Sequence, residues 1–157
     1  ELVLTTLTRE ATPQLRFRTG DLTRLITEEC ECGRTIARMD RMIGRTDDML
    51  KVRGVKFWPS TVEHALLMVD GVSQNYEIIV DRPRELDVMT LVVEPKKKLF
   101  EKVGRDLSKL EWLRQETSNS LESVIGVRAN IELVPYGSLP RFIGKASRVR
   151  DLRKRKS

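Results

Sequence analysis

The chain has 157 residues, which is the length of one domain or of one domain with part of another. Charged residues make up 33% and aromatic residues 5%, a composition typical of a folded chain rather than a disordered one. No apolar run approaches the roughly 20 residues of a membrane-spanning helix, and no signal peptide is visible, so we expect a cytoplasmic protein that does not contact a membrane. The net charge of +6 suits an anionic ligand without distinguishing a nucleotide, CoA or a nucleic acid.

Residues 1–43 are predicted to form short strands and turns. The segments ELVLTTL and DLTRLI have strand-like patterns, and RFRTGD ends in a Gly-Asp turn. The stretch contains too few apolar residues for a core of its own, and the chain begins inside a strand pattern. We therefore expect residues 1–43 to be the β-rich edge of a large domain that lies upstream.

Cys30 and Cys32 are separated by a single residue in the segment CECG. A disulfide across so short a gap would be strained, and thiols remain reduced in the cytosol. Two interpretations stay open. The segment is either a tight turn in which Gly33 has an unusual backbone angle, or half of a zinc site that would need further ligands.

The elements after residue 48 have clearer patterns. MLKVRGVKFWP predicts a hairpin that turns at Arg53-Gly54. The segment STVEHALLMVDG predicts a helix, with Ser60 and Glu63 as a capping box, Pro59 just outside it and Gly71 at its end.

The remaining elements are two strands, a long helix and a last strand. YEIIV and VMTLVV are predicted strands joined by a turn around Pro83, a helix is predicted from about 98 to 121, and VRANIELV alternates as a strand does. This order predicts an α+β fold with a hairpin and a three-stranded sheet flanked by helices. We expect residues 49–157 to form this small domain and residues 44–48 to be a hinge.

Three polar, glycine-containing segments lie between the predicted elements: RFRTGDL (16–22), GRTDDMLKVRG (44–54) and GSLPRFIGKASR (137–148). Each has an ordinary interpretation as a turn, a charged linker or a surface loop. Each also has a functional one. Asp21 could bind a vicinal diol, Arg45 could lie near a phosphate or ribose, and Lys145 could act as a mobile cation.

Taken together, the ordered segments RTGD, GRxDDxxKxxG and PxxxxGK resemble the C-terminal motifs of the adenylate-forming enzymes. Among these enzymes, the phenylacetate-CoA ligase family is most similar to the chain in four segments: LTREATPQLRFRTGDLTRL, CECGR, GRTDDMLKVRGVKFWPSTVE and LPRFIGK. The resemblance covers essentially the whole chain. It implies an enzyme that joins ATP and a carboxylic acid into an acyl adenylate and then transfers the acyl group to CoA.

The resemblance also implies a role for individual residues. Asp21 would bind the ribose hydroxyls of ATP, and Arg45 would contact the ribose or a phosphate. Asp47 would be the pivot about which the small domain rotates, Lys145 would bridge the carboxylate and the α-phosphate, and the turn at Gly54 would face the pantetheine channel.

The substrates and partners implied in the same way are ATP with Mg²⁺, CoA, an aryl carboxylic acid and the upstream domain in cis. The resemblance leaves room for a homodimer and for Zn²⁺ at Cys30 and Cys32. The phosphate-binding loop and the acid pocket of these enzymes are absent from the sequence, so we expect this chain alone to fold, at least from Gly44, without adenylating a substrate.

Two alternatives remain at this point. A related adenylyltransferase acts on a deazaflavin cofactor, and the acceptor pocket that would distinguish it lies largely elsewhere. An RNA-binding module would also suit the positive charge, but such sheets display stacking aromatics, and the central strands here offer only Tyr76. We therefore expect no nucleic-acid partner.

Overall fold

A computed structural model describes residues 1–141 and 148–153. The chain divides into two compact units, one from Glu1 to Met49 and a second that begins at Leu50. No helix in the described ranges is long and apolar enough to cross a membrane. The two units differ in how they are stabilised, and each is described by itself.

The first unit consists of three pairs of very short antiparallel strands. Their bounds are β1 Val3–Leu4 with β2 Phe17–Arg18, β3 Asp21–Leu22 with β6 Gly44–Arg45, and β4 Leu25–Ile26 with β5 Arg38–Met39. None of residues 1–49, all of which the structure describes, is buried. The prediction that this stretch lacks a core of its own is therefore confirmed.

The second unit opens with the predicted hairpin, formed by β7 Leu50–Val52 and β8 Val55–Phe57. Arg53 and Gly54 form its turn with φ angles of +49° and +86°. Two successive residues with positive φ match the right-handed twist of the strands in a two-residue hairpin. The predicted turn position is confirmed.

The first helix, α1 Pro59–Leu67, starts earlier than predicted. Trp58 is its N-cap and Pro59 lies inside the first turn, so the predicted capping box with Ser60 at the N-cap is wrong. Proline has the φ angle of a helix and lacks an N–H that would go unpaired there, which explains the earlier start. The carboxylate of Glu63 instead accepts a hydrogen bond from Arg148 Nη1 at 3.2 Å.

The single long helix predicted from 98 to 121 is also wrong. The structure has α2 Lys97–Lys102, a 3-10 helix Leu107–Leu110 and α3 Glu111–Ile125. Gly104 and Arg105 have φ angles of +73° and +62°, which an α-helix cannot contain. Asp106 then caps the next segment by accepting a hydrogen bond from the N–H of Ser108 at 3.0 Å.

The sheet of the second unit has four strands in the order β11-β10-β9-β12. Their bounds are β9 Val72–Asp81, β10 Val88–Pro95, β11 Asn130–Leu133 and β12 Val149–Asp151. β9 and β10 are antiparallel, whereas β11 runs parallel to β10 and β12 parallel to β9. The α+β class and the predicted order of elements are confirmed, and the fourth strand is an addition to the three predicted.

A single hydrophobic core joins the hairpin, α1, α3 and the sheet. Its residues on α1 and α3 are spaced three or four apart, and those on β9 and β10 alternate, as one buried face of each element requires. The side chains with no or almost no exposed surface include Val52, Val62, Ala65, Ile78, Val80, Leu91, Val93, Leu110, Leu113 and Leu121.

A buried carboxylate ties the hairpin to the sheet. Asp87 is 8% exposed and accepts hydrogen bonds from Arg82 Nε at 2.8 Å and Arg153 Nη1 at 3.0 Å. Its backbone carbonyl accepts another from Arg53 Nε in the hairpin turn at 2.9 Å. The hydrogen bond from Arg82 and the charge of Arg153 together lower the pKa of Asp87 below its ordinary value.

We expect Asp87→Asn to destabilise the second unit by about 2 kcal/mol at pH 7, because two arginines lose a charged partner. Because the pKa is lowered in the folded state, the wild-type carboxylate stabilises the fold fully at pH values above its pKa in the unfolded chain, which is near 4. This stabilisation is lost progressively as the pH falls through the pKa of the folded state. The difference between wild type and variant should therefore shrink below about pH 4.

Urea unfolding followed by tryptophan fluorescence measures this, since both tryptophans, Trp58 and Trp112, lie in the second unit. Asp70→Asn is the matched control, because the Asp70 side chain is 99% exposed and pairs only at the surface with Lys96. A difference between Asp87→Asn and wild type that stays constant down to pH 3 would contradict the assigned role.

Candidate functional site

Three of the residues singled out in the sequence meet in the first unit around the guanidinium group of Arg45. Asp21 and Arg45 are direct partners in the antiparallel pair β3–β6, which brings together residues 24 positions apart. Arg45 Nη1 donates a hydrogen bond to Asp21 Oδ1 at 3.1 Å. The strand pairing thus places the RTGD segment beside the GRTDD segment.

The aspartates that follow Arg45 bind the same group. Arg45 donates from Nε to Asp47 Oδ1 and from Nη2 to Asp47 Oδ2, both at 3.0 Å, and Asp48 Oδ2 lies 3.8 Å from Nε. Parallel bonds of this kind fix the plane of a guanidinium. The carboxylate of Asp47, followed by those of Asp21 and Asp48, raises the pKa of Arg45.

Gly20 is required where the two segments meet. Its φ is +80°, and a Cβ at this position would lie 3.0 Å from Arg45 Nη2. The carbonyl oxygen of Gly20 accepts hydrogen bonds from the N–H of Thr46 at 2.8 Å and from its Oγ1 at 3.2 Å. The glycine therefore lets the backbone come close to Arg45, a reason for the Gly-Asp pair beyond an ordinary turn.

The resulting site, the Arg45 cluster (Asp21, Arg45, Asp47 and Asp48), is partly open to solvent. The side chains of Asp21 and Arg45 are 28% and 34% exposed. A carboxylate oriented by an arginine can accept hydrogen bonds from the two hydroxyls of a ribose, and the guanidinium can donate to a phosphate or ribose oxygen. The geometry suits a nucleotide sugar with its phosphate.

Cys30 and Cys32 form a close pair of free thiols with sulfur atoms 3.1 Å apart. Gly33 has a φ of +80°, and its N–H donates to the carbonyl of Cys30 at 2.7 Å, so the segment is a tight turn as one interpretation predicted. The neighbouring Cys30 lowers the pKa of Cys32, which favours the thiolate form that binds zinc. Within the described ranges, no three His, Cys, Asp or Glu side chains are grouped to hold a metal. Structural zinc takes four ligands, of which the two thiols would be only half.

Gly54 belongs to the second unit, in the hairpin turn. A Cβ built on Gly54 would have no atom within 4 Å, so the positive φ rather than crowding requires glycine here. The neighbouring Arg53 is held by its hydrogen bond to the carbonyl of Asp87. The turn therefore presents bare backbone at a fixed place on the surface of the second unit.

Lys145 lies outside the described residues, but both ends of its segment are described. On the N-terminal side, the carboxylate of Glu94 accepts hydrogen bonds from the N–H of Leu139 at 2.6 Å and from Arg141 Nη2 at 2.7 Å. Glu94 is not among the residues singled out in the sequence. Its only signal was an acidic residue at the end of the apolar strand VMTLVVEP.

Comparison with known proteins assigns the chain to a family. Residues 54–153 match the family model described as AMP-binding enzyme C-terminal domain. The chain belongs to this family. The match covers most of the second unit, from the turn at Gly54 to Arg153.

Individual related proteins match residues of both units, not of the second unit alone. The phenylacetate-coenzyme A ligase of Thermus thermophilus is 43% identical over 98% of this chain, and that match covers 37% of the relative. The chain therefore spans about a third of the length of the curated relatives it matches. The resemblance to the phenylacetate-CoA ligases is confirmed.

A solved structure is similar as well. The 2-hydroxyisobutyryl-CoA ligase in its postadenylation state, in complex with R3-HIB-AMP, is 37% identical and has a TM-score of 0.83 over 97% of this chain and 32% of that one. The same ligase with 2-HIB-AMP and CoA, in the thioesterification state, has a TM-score of 0.63 over 97% of this chain and 31% of that one. Both structures are of one CoA ligase, in two states of its reaction.

Proposed function

We propose that this chain is the C-terminal part of an acid:CoA ligase of the AMP-forming type. The observation that carries the proposal is the convergence of Asp21, Asp47 and Asp48 on Arg45, which joins two motifs of the adenylate-forming enzymes in one site. The similarity to phenylacetate-CoA ligases supports it along nearly the whole chain. An aryl carboxylic acid is the proposed substrate beside ATP and CoA.

The proposed reaction has two steps. The acid's carboxylate attacks the α-phosphate of ATP, which releases pyrophosphate and forms an acyl adenylate. The thiol of CoA then attacks the acyl carbon, which releases AMP and forms a thioester. Mg²⁺ would accompany ATP and offset phosphate charge, and a large upstream domain in cis would hold the triphosphate and the acid.

Each site residue has a proposed part in these steps. Asp21 binds the ribose hydroxyls, Arg45 orients Asp21 and donates to the ribose or a phosphate, and Lys145 stabilises negative charge between the attacking carboxylate and the α-phosphate. The bare backbone at Gly54 faces the pantetheine in the second step. Its open surroundings support a close approach by a narrow ligand.

Asp47 is the proposed pivot between the two steps, within a hinge at residues 44–48. It lies two residues before Met49, where the first unit ends, and its bonds to Arg45 fix the chain on that side. The 2-hydroxyisobutyryl-CoA ligase supports a change between steps, since it has been solved in a postadenylation state and in a thioesterification state. Rotation would let one domain serve two reactions.

The alternatives have less support. The relatives described above are CoA ligases, which does not favour the deazaflavin adenylyltransferase. An RNA-binding sheet would need exposed aromatics, whereas Tyr76 is 4% exposed and has Arg148 over its ring at 4.6 Å. Zn²⁺ at Cys30 and Cys32 and a homodimer remain proposals that depend on groups beyond the described residues.

The proposal is tested by incubating the complete ligase with ATP, Mg²⁺ and an aryl acid, with and without CoA. We expect acid-dependent pyrophosphate release in both reactions and a thioester only when CoA is present. Omitting the acid is the control. Absence of both pyrophosphate and thioester across a panel of aryl acids, or transfer of the nucleotide to a deazaflavin instead, would overturn the proposal.

A further inference from the structure

Glu94 is a fully buried acidic residue in the sheet of the second unit, with no part of its side chain exposed. It lies near the end of β10, where the pairing register with β9 shifts between Val93 and Pro95. An irregularity of this kind redirects a side chain from the regular alternation of a strand. Burial of a carboxylate is costly unless it is paired and hydrogen-bonded, so the position calls for a reason.

Among the described residues, the hydrogen-bond partners of Glu94 come from the segment that follows β11. The N–H of Leu139 donates to Oε1 at 2.6 Å, and Arg141 Nη2 donates to Oε2 at 2.7 Å. Arg141 is itself held over the ring of Tyr136, with 5.0 Å between the guanidinium carbon and the ring centroid. One buried carboxylate thus fixes both the backbone and a side chain of residues 139–141.

The other end of the same segment is fixed independently. Arg148 lies over the ring of Tyr76, donates to Glu63 at 3.2 Å, and accepts a hydrogen bond at its carbonyl from the N–H of Ile78 at 2.7 Å. β12 begins at the next residue. The chain is therefore attached to the sheet at residue 141 and again at residue 148.

Lys145 falls between these attachments, four residues after Arg141 and three before Arg148. Because consecutive Cα atoms are about 3.8 Å apart, so short a connection limits where the lysine can reach. We propose that Glu94 is a positioning residue for Lys145. Glu94 holds residues 139–141, and the segment that contains Lys145 continues from there. This inference rests on the proposed function, in which Lys145 acts on the α-phosphate.

The test compares Glu94→Gln with wild type in the complete ligase. Glutamine keeps the shape of the side chain but leaves the Leu139 N–H with a neutral, weaker acceptor and Arg141 without its charged partner. We expect kcat for adenylate formation to fall about 10-fold or more, with KM for ATP and thioester formation from preformed acyl adenylate changed by less than about twofold. Arg141→Gln, which leaves the buried strand intact, should reproduce the same selective loss if Glu94→Gln fails to fold.

Glu77→Gln is the matched control. Glu77 lies in the neighbouring strand β9 and binds Arg150 at 2.6 Å, so it has the same chemistry without contact to residues 139–141. It should leave both steps unchanged. Equal losses in both steps for Glu94→Gln and Arg141→Gln, or an unchanged adenylation rate in either, would overturn the inference.

A measurement on the 157-residue chain separates this inference from the proposed function. We expect the Leu139 amide to exchange its hydrogen slowly in wild type and faster in Glu94→Gln, while amides of β9 stay protected. If wild-type ligase proved inactive with acids, the proposed function would fail while this anchor could still be observed. Unchanged Leu139 exchange in Glu94→Gln would refute the anchor itself.

Discussion

Lys145→Ala in the complete ligase is expected to lower the rate of adenylate formation by about 100-fold or more. Attack of a carboxylate on a phosphate brings two anions together, and a cation placed between them stabilises the transition state. The attack of a thiol on the finished adenylate needs no such cation. Thioester formation from preformed acyl adenylate should therefore stay within about twofold of wild type.

Pyrophosphate release and thioester formation are measured separately for this variant. Lys109→Ala is the control, since Lys109 is an exposed lysine that pairs with Asp106 at 3.8 Å. It should change neither step. Equal damage to both steps in Lys145→Ala would refute the assigned role, because a residue that acts in one orientation of the domain cannot serve both steps alike.

Asp47→Pro should have the opposite effect, a loss of thioester formation by about 10-fold or more with adenylation less affected. Proline fixes φ and removes the N–H, so a pivot at this position loses the backbone freedom that rotation needs. The enzyme would form the adenylate and then fail to change orientation. Single-turnover experiments that follow adenylate and thioester in time measure this directly.

Asp47→Ala is the matched control for Asp47→Pro. It removes both hydrogen bonds to Arg45 but leaves the backbone free to rotate. If the alanine and proline variants lose the same step to the same extent, Asp47 acts through its carboxylate on Arg45, and the pivot must lie elsewhere in residues 44–48.

The Arg45 cluster could be predicted from the sequence only in part. The motifs RTGD and GRTDD named Asp21, Arg45 and Asp47, but no local pattern shows that β3 and β6 pair. The crowding between Gly20 and Arg45 also appears only once those strands are paired. The residues were thus predictable from motif chemistry, whereas their contacts depend on tertiary structure.

The errors in the predicted elements have local physical causes. The helix stripe was found correctly, yet Pro59 was assigned outside α1 although proline favours the first turn. The apolar residues on both sides of Gly104 keep the spacing of one continuous helix. The positive φ of Gly104 nevertheless ends the helix there. β12 has only three residues, Val149–Asp151, too few for a strand pattern to emerge.

Glu94 shows why part of the functional machinery is invisible in the sequence. An acidic residue near the end of a strand ordinarily lies in solvent, and nothing near it in the sequence indicates burial. Its partners, Leu139 and Arg141, are 45 and 47 positions away. Only the folded second unit brings them together beside the segment of Lys145.

The most direct test of the account is a structure of the complete ligase with a non-hydrolysable acyl-adenylate analogue, in the orientation that forms the adenylate. The account predicts Lys145 Nζ about 3 Å from an α-phosphate oxygen and the Asp21 carboxylate on the ribose hydroxyls. A closed, nucleotide-bound ligase in which Lys145 points into bulk water and Asp21 contacts no part of the nucleotide would contradict it.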